Sequence, residues 1–441
     1  MLQKLKASLL FAMSFLICLA IIWSVQYYRT YQLTIIGKTQ YADGIGRQII
    51  DHYRMLDTKD NKINLVSSSI HSLKDLTLTE IIEVTNPLVK FGNMVMYEAV
   101  LPVNGETHDL TQLFHKKFMK FSPINRDKHL IAAYTMFESS KIMDSWVTMI
   151  NQNFDLAILP DNFLVEVYKN SGVTKPTFVL PLQIDITYFL NAPIKTKRND
   201  VFIFSNLSST IERKNLVKLV EAYVQAFGDR KDVKLLINSR NGNHEAIQKL
   251  KSVIAKYPNA NIEYQLKSLS ETEYRKMISD SDCYVSPSKS EGFSIIPRQT
   301  MAQGIPTIVT NNTGQSTIAK SGLTEVVKSE IVEPGIFAFS SSVPIGEYYD
   351  CHVADLAKAM LNVYNNYDQY LKKSQKMREW SAFYNIDSIN LKKYYTTLLL
   401  KPNGIKMGKQ NEITPDGYII TNSKEFYDKY SKIMKLDTKS E

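Results

Sequence analysis

Two short stretches hold side chains able to grip a charged, hydroxyl-bearing ligand. The first, SKSEGFSIIPRQTMAQGIPTIVT (residues 288–310), sets Glu291 beside Gly292 and closes with Gly304 and Pro306. It reads as the end of a buried strand, a glycine turn, a short helix ended by Gly304, and a second strand. That order places Glu291 at a strand's carboxyl end, with the N–H groups of Gly292, Phe293 and Ser294 facing the same side. A carboxylate there can accept hydrogen bonds from two hydroxyls of one sugar ring. Gln299, eight residues after the acid, falls in the helix's first turns. It can reach the same ligand as a neutral group with one acceptor and two donors.

The second stretch, SNLSSTIERKN (205–215), follows an apolar strand ending at Asn206 and leads into a helix over about 212–227. Arg213 and Lys214 then fall in that helix's first turn, where each cation opposes the helix dipole by about 0.3–1 kcal/mol. A diphosphate would offset the penalty, because the helix end and both cations would act on it together. A solvated basic face is the plainer alternative. A third loop, YADGIGRQ (41–48), carries Gly44 and Gly46 ahead of another helix. Its backbone suits close approach of phosphate or a sugar hydroxyl. It lacks the third glycine of a dinucleotide fingerprint, and a simple tight turn fits as well.

Such loops need strands behind them. LTIIG (33–37), INLVSS (63–68), HLIAAYTMF (129–137), FDLAILP (154–160) and TFVLPL (177–182) are strand candidates. Between them lie helical patterns at 49–56, with Ile49, Ile50, Tyr53 and Leu56 on one face, and at 142–150 and 162–171. The stretch 69–126 yields no clear pattern. LNAPIKTKRND (190–200) is polar and basic and reads as an interdomain linker. Alternation then resumes with VFIFSN (201–206), VKLLINS (233–239), NIEYQL (261–266), CYVSPS (283–288), PTIVT (306–310) and EIVEP (330–334). Helices fall between them at about 244–257 and 270–281, the latter opening on a Ser270/Glu273 capping pattern, and a late one at 353–367. Continuous apolar strands separated by helices predict parallel sheets covered on both faces. The expected fold class is α/β, with two doubly wound Rossmann-like domains facing a cleft and ligands beyond the strands' carboxyl ends.

The totals agree. At 441 residues, two or three domains are expected, and 44% hydrophobic against 22% charged residues speaks against wholesale disorder. With 53 basic and 44 acidic residues the net charge is +9. That suits an anionic small ligand or lipid surface better than nucleic acid, for which no Lys/Arg block with interleaved aromatics is present. Cys18, Cys283 and Cys351 form no CxxC or Cys/His cluster, so neither a disulfide framework nor a structural zinc is expected. ASLLFAMSFLICLAIIWSV (7–25) is uncharged, follows Lys4 and Lys6, and ends near Trp23, Tyr27 and Tyr28. It reads as a single-pass N-terminal membrane anchor rather than a cleaved signal. Arg29, Lys38 and Arg47 on the far side leave its orientation, and so the side of the catalytic domains, open.

SEGFSIIPRQTMAQGIPTIVT resembles the donor-binding signature of the retaining, GT-B-fold glycosyltransferases of family 4. ERKNLVKLVEAYVQAF (212–227) is similar to that family's phosphate-binding helix, and residues 136–185 resemble the end of its acceptor domain. The resemblance implies a GT-B architecture divided as follows: anchor 1–30, acceptor domain 31–190, donor domain 191–380, a helix 381–400 packing back on the first domain, and a polar tail 401–441. It implies that Glu291 holds donor sugar hydroxyls and that Lys214, with Arg213, meets the donor diphosphate. Gly292, Phe293, Ser294, Gln299 and Asn206 would line the donor. Gly44, Gly46, Arg47, His129 and Glu138 would stand on the acceptor side, the last two by a looser match. Gln299 replaces the family's second acid, Ser209 replaces the arginine of an Arg-x4-Lys pair, and Ser294 replaces a common glycine.

The expected activity is transfer of a hexose-type sugar from a nucleotide-diphospho-sugar to a hydroxyl on a glycan, lipid-linked sugar or protein. No metal or other cofactor is expected, because cationic side chains take the metal's part. The rival expectation, motivated by Gln299 and Ser209, is a catalytically weak or inactive GT-B-like protein that binds a nucleotide or glycan at a membrane. A sugar-nucleotide epimerase or phosphorylase is a third.

Overall fold

The computed structural model describes residues 13–14, 16–24, 30–38, 44–69, 76–86, 90–98, 124–337, 340, 343–401 and 404–434; of residues 38, 44–47, 68 and 69 it describes the backbone alone. The first lobe holds β1 (Leu33–Lys38), α1 (Gly44–Leu56), β2 (Ile63–Ser69), α2 (Leu78–Thr85), β3 (Met94–Glu98), β4 (Leu130–Tyr134), α3 (Asp144–Asn153), β5 (Leu156–Leu159), α4 (Phe163–Ser171) and β6 (Thr177–Val179). Its strands form one parallel sheet in the order β2-β1-β3-β4-β5-β6. Every residue of β3, β4 and β5 is buried, which is why these strands read as apolar runs without alternation. α1 buries Ile49, Ile50, Tyr53 and Leu56, the face read from the sequence. β3 is a central strand inside the stretch that gave no pattern. Its MVMYE run is too short to tell from a helix segment by periodicity.

The second lobe holds β7 (Phe202–Leu207), α5 (Leu216–Phe227), β8 (Val233–Ser239), α6 (His244–Ala255), β9 (Ile262–Leu266), α7 (Glu271–Asp280), β10 (Cys283–Ser286), α8 (Ile295–Ala302), β11 (Thr307–Thr310) and β12 (Glu325–Val327). These strands too are parallel, in the order β12-β11-β10-β7-β8-β9. The Ser270/Glu273 capping box opens α7 as read. EIVEP lies outside this sheet. β13 (Ile331–Pro334) pairs antiparallel with β14 (Glu347–Asp350) in a separate hairpin, and the sixth strand is the three-residue β12.

The helix expected over 212–227 is divided. Glu212–Lys214 is a 3₁₀ turn, Asn215 is left-handed at φ 61°, and α5 starts at Leu216. Asn tolerates that conformation, and its amide is tied to Asp350 Oδ1 at 2.6 Å and the Pro287 carbonyl at 3.2 Å. Arg213 and Lys214 therefore precede the α-helix, and the dipole penalty of a first-turn cation does not fall on them.

The chain then returns through α9 (Val353–Asn365), α10 (Ser374–Ala382) and α11 (Ile389–Leu399). It recrosses beside its own outgoing segment, where Ile184 N–H meets the Tyr384 carbonyl at 2.9 Å and Ile386 N–H the Ile184 carbonyl at 3.1 Å. Beyond Lys401 the expected polar tail is instead folded over the described residues. β15 (Ile405–Met407), β16 (Glu412–Ile413) and β17 (Ile419–Thr421) form a small sheet, followed by α12 (Lys424–Met434). α12 buries Phe426, Tyr430, Ile433 and Met434, and the Phe426 ring lies 5.6 Å from Phe178 of β6.

At the other terminus, residues 13–14 and 16–24 are helical and expose Met13, Leu16, Ile17, Ile21 and Ile22. Among the described residues no helix is long and apolar enough to cross a membrane. The anchor expected over 7–25 lies partly outside them.

Candidate active site

In each lobe the strand order reverses once, between β1 and β3 and between β7 and β10. Ligands of doubly wound sheets bind at such reversals, beyond the carboxyl ends. The loops after β7 and β10 meet there. Lys214 Nζ forms an ion pair and hydrogen bond with Glu291 Oε1. Arg213 reaches the other carboxylate oxygen at 3.3 Å, and Ser288 Oγ donates to Oε1 at 2.6 Å. The Glu291 backbone is fixed from the next loop, its N–H donating to Thr313 Oγ1 and its carbonyl accepting from Gly314 N–H, both at 2.8 Å. A side chain at Gly314 would put Cβ 2.7 Å from the Glu291 carbonyl oxygen, so the approach requires glycine.

Arg213 also spans the lobes. It donates to Glu138 Oε1 at 2.9 Å and to the Ser290 carbonyl at 2.8 Å. Glu138 stands beyond the carboxyl end of β4. Gly292 faces the same loop, where a Cβ would meet Met136 Sδ at 3.2 Å and Glu138 Cγ at 3.5 Å. Burial alone would raise the Glu291 carboxyl, but the Lys214 and Arg213 charges, with hydrogen bonds from Lys214 and Ser288, hold it at about 2. Burial and the adjoining Arg213 charge lower Lys214 below the ordinary lysine value, against the pull of Glu291. Burial would lower Arg213 as well, but Glu138 and Glu291 raise it.

The other donor-side candidates differ in what occupies them. Ser294 caps α8 at φ 65°, the backbone region that favours glycine, and so explains why a glycine would be usual there. Phe293 is buried with Arg298 stacked over its ring at 3.7 Å. Gln299 lies buried on α8 with its side-chain oxygen accepting from Tyr274 Oη of α7. Asn206 spends both ends of its amide inside the lobe, donating to the Val285 carbonyl at 2.7 Å and accepting from Ser208 Oγ at 2.7 Å. It braces β7 to β10. Ser209 Oγ donates to Asn241 Oδ1 at 2.6 Å.

Among the acceptor-side candidates whose side chains are described, Glu138 joins the cluster and His129 does not. His129 precedes β4, so the whole strand separates it from the cleft end; its Nδ1 meets the Gly92 carbonyl at 2.7 Å. The expectation for His129 is corrected accordingly. Gly44, Gly46 and Arg47 open α1 after β1 as backbone, and their side chains and the loop before them lie outside the described residues.

Sequence reasoning missed a buried network at the first lobe's own reversal. Glu98 ends β3 and is met by His52 Nδ1 and by Gln48 Nε2, the latter at 2.7 Å. His52 Nε2 lies 2.7 Å from Tyr395 Oη on α11. Gln48 and His52 stand four apart on α1 and share a face, a signal that was present but had no strand opposite it to complete it. Arg298 was missed as well. It is fully buried, donates to the carbonyls of Phe293 and, at 3.0 Å, Ser294, and lies 3.6 Å from Asp161 of the first lobe.

Cys283 and Cys351 are buried free thiols and Cys18 is an exposed one. Among the described residues no group of three or more His, Cys, Asp or Glu could hold a metal ion.

Two doubly wound lobes whose loops converge on a Lys–Glu–Arg cluster define a GT-B-type α/β protein. The second lobe can be placed further: residues 190–333 match the family model for glycosyl transferases group 1, which shows the resemblance read from the sequence. A search of curated proteins by sequence finds no match. Among solved structures, Anabaena Alr3699/HepE in complex with UDP aligns with a TM-score of 0.59 at 11% identity, covering 83% of this chain and 99% of that one. An E. coli structure titled trehalose-6-phosphate bound with UDP-2-fluoro glucose aligns with a TM-score of 0.57 at 9% identity, over 83% of this chain and 98% of that one. The N-terminal domain of Candida albicans trehalose-6-phosphate phosphatase aligns at 0.58 and 10% identity, over 84% and 99%. At these identities the likenesses establish the shared fold.

Proposed function

We propose that the chain is a membrane-anchored, retaining, metal-independent glycosyltransferase that moves a hexose-type sugar from a nucleotide-diphospho-sugar to an acceptor hydroxyl. The observation that carries this reading is the Glu291 carboxylate held by Lys214 and Arg213 at the strand-order reversal of a glycosyl transferases group 1 lobe. An entering diphosphate competes with Glu291 for Lys214. The exchange pairs the lysine with phosphate and frees the carboxylate for the donor's sugar hydroxyls. As the diphosphate departs, negative charge gathers on its oxygens, and Lys214 and Arg213, already in position, stabilise it. The acceptor hydroxyl then attacks from the leaving-group face, which retains the anomeric configuration. Glu138 on Arg213 ties the first lobe to this event, and closed lobes keep water from the donor. HepE was solved with UDP and the E. coli protein with UDP-2-fluoro glucose, so uridine is the base to try first.

The exposed apolar residues of the 16–24 helix support apposition to a membrane, and Trp23 Nε1 docks that helix on α2 through the Ile82 carbonyl at 3.3 Å. A reporter fused after Glu441, with protease access, reads the orientation. One observation favours the rival reading of a weak or inactive binder: Gln299's acceptor oxygen is already taken by Tyr274. Calorimetric titration with UDP and GDP, followed by a donor-hydrolysis assay, decides between them. Transferase action requires both binding and turnover; binding with no turnover sinks the catalytic reading.

A further inference from the structure

Beside the cluster lies a cavity of about 350 Å³ that none of these roles uses. Its walls come from four parts of the chain. The first lobe gives Asp161 and Asn162 after β5, the return segment gives Phe383, Tyr384 and Tyr394, and the folded tail gives Glu412 of β16. Phe293, two residues after Glu291, closes one side, so the cavity adjoins the loop of the candidate site.

The chemistry of the wall is specific. Phe383 meets Tyr384 edge-on at 5.2 Å and Tyr394 at 6.1 Å, which presents aromatic surface in more than one orientation. Asp161 is 3% exposed, and one of its oxygens is engaged, by Thr317 Oγ1 at 2.7 Å and Phe163 N–H at 3.3 Å. Its other oxygen lies 3.6 Å from Arg298 Nη2, too far for a hydrogen bond, and that buried nitrogen has no hydrogen-bond partner among the described residues. A wholly apolar ligand would offer no donor to the two carboxylates, Asp161 and Glu412, that line the wall. An anion would face Asp161 and Glu412. A neutral ligand with an apolar face and hydroxyls around its rim fits both features, and its volume suits a small-molecule pocket.

We propose that this cavity binds a neutral sugar ring of the acceptor, stacked on Tyr394 with hydroxyls donated to Asp161 and Glu412. The inference rests on the transferase reading and narrows its acceptor to a glycan or glycan-bearing molecule. It also gives the folded tail a part in binding, since β16 supplies one wall.

Saturation-transfer NMR on the full chain, with methyl glucoside, methyl galactoside and methyl N-acetylglucosaminide as probes, tests it with UDP present and absent. At least one glycoside should receive saturation, and Tyr394→Ala should weaken its binding about tenfold by removing an aromatic wall. Glu412→Ala changes a part-exposed surface strand, keeps the test readable if Tyr394→Ala disturbs folding, and should weaken binding about threefold. UDP affinity should hold in both variants. No saturation of any glycoside, or equal saturation in wild type and both variants, overturns the proposal. Glycoside binding in a chain that binds neither UDP nor GDP upholds the cavity while removing the donor reading, so the two failures are told apart.

Discussion

Two carboxylates occupy corresponding posts in the two lobes and are treated in opposite ways. Glu98 ends β3 and Glu291 follows β10, each on the strand across the reversal from its lobe's first strand. Glu291 is paired with two cations, and its loop faces the other lobe through Gly292. Glu98 and His52 have no exposed side-chain surface, and α11 roofs them through Tyr395. The topology makes the same post twice, and the return helix decides its use. Where the helix covers the reversal, the acid becomes part of a buried polar core. Where the gap between lobes remains, it can meet a ligand.

The largest effect should come from breaking the open post. Glu291→Ala should lower transfer on the order of 10²–10³-fold, the range seen when one preorganised polar contact to a reacting group is lost. Wild-type turnover with a verified donor in that variant would end the assignment of Glu291. At the closed post the effect should be on folding. Glu98→Ala strips the hydrogen-bond partner from a buried His52 and should cost about 1–3 kcal/mol in urea unfolding, with UDP affinity unchanged. Lost UDP binding at unchanged stability would show the two posts to be alike after all.

A smaller effect sharpens the contrast through pH. Lys214 sits below the usual lysine range because of burial and Arg213. UDP affinity should therefore decline as pH rises toward that lowered value, by about tenfold as the ammonium is lost. Lys214→Arg should bind UDP without the alkaline decline, since guanidinium stays protonated. A decline of the same shape in both proteins would assign it to another group. At the acid side the sign is opposite. Glu291 is held at about 2, below the ordinary glutamate value near about 4.3, so its stabilisation is full above the latter and fades as pH falls toward the former.

The same contrast separates what the sequence showed from what it hid. The open post was legible because its chemistry is local: Glu291, its glycine turn and the capped helix are contiguous, and Arg213–Lys214 stand in one short loop. Even there Asn206 misled. A polar residue ending a strand can face a ligand or brace a neighbour, and only the carbonyl of Val285 opposite decides. The closed post was hidden because its members come from α1, β3 and α11, with β3 too short to read. The folded tail was hidden by composition. Phe426, Tyr430, Ile433 and Met434 keep helical spacing, but lysines between them masked it, and their partners, Phe178 of β6 and the carbonyls at the end of α11, lie far away in the sequence or in another element.

The smallest effect concerns His129, which shares β4 with the cleft but stands at its other end. His129→Ala removes one hydrogen bond to the Gly92 carbonyl and should cost about 1 kcal/mol. Burial lowers the imidazole below its ordinary value, with Lys128 and Lys429 adding to that against the Gly92 bond. The folded state thus disfavours its protonation. Its penalty is absent above the unfolded pKa, near about 6.5, and grows as pH falls below that, until the folded value is passed. The variant should lose that part of the acid sensitivity while transfer and UDP affinity stay within about twofold of wild type, a change at the level of scatter. A tenfold loss of transfer at unchanged UDP affinity would mean that the amino end of β4 reaches the acceptor, and the division between a cleft end and a supporting end of the first lobe would have to be redrawn.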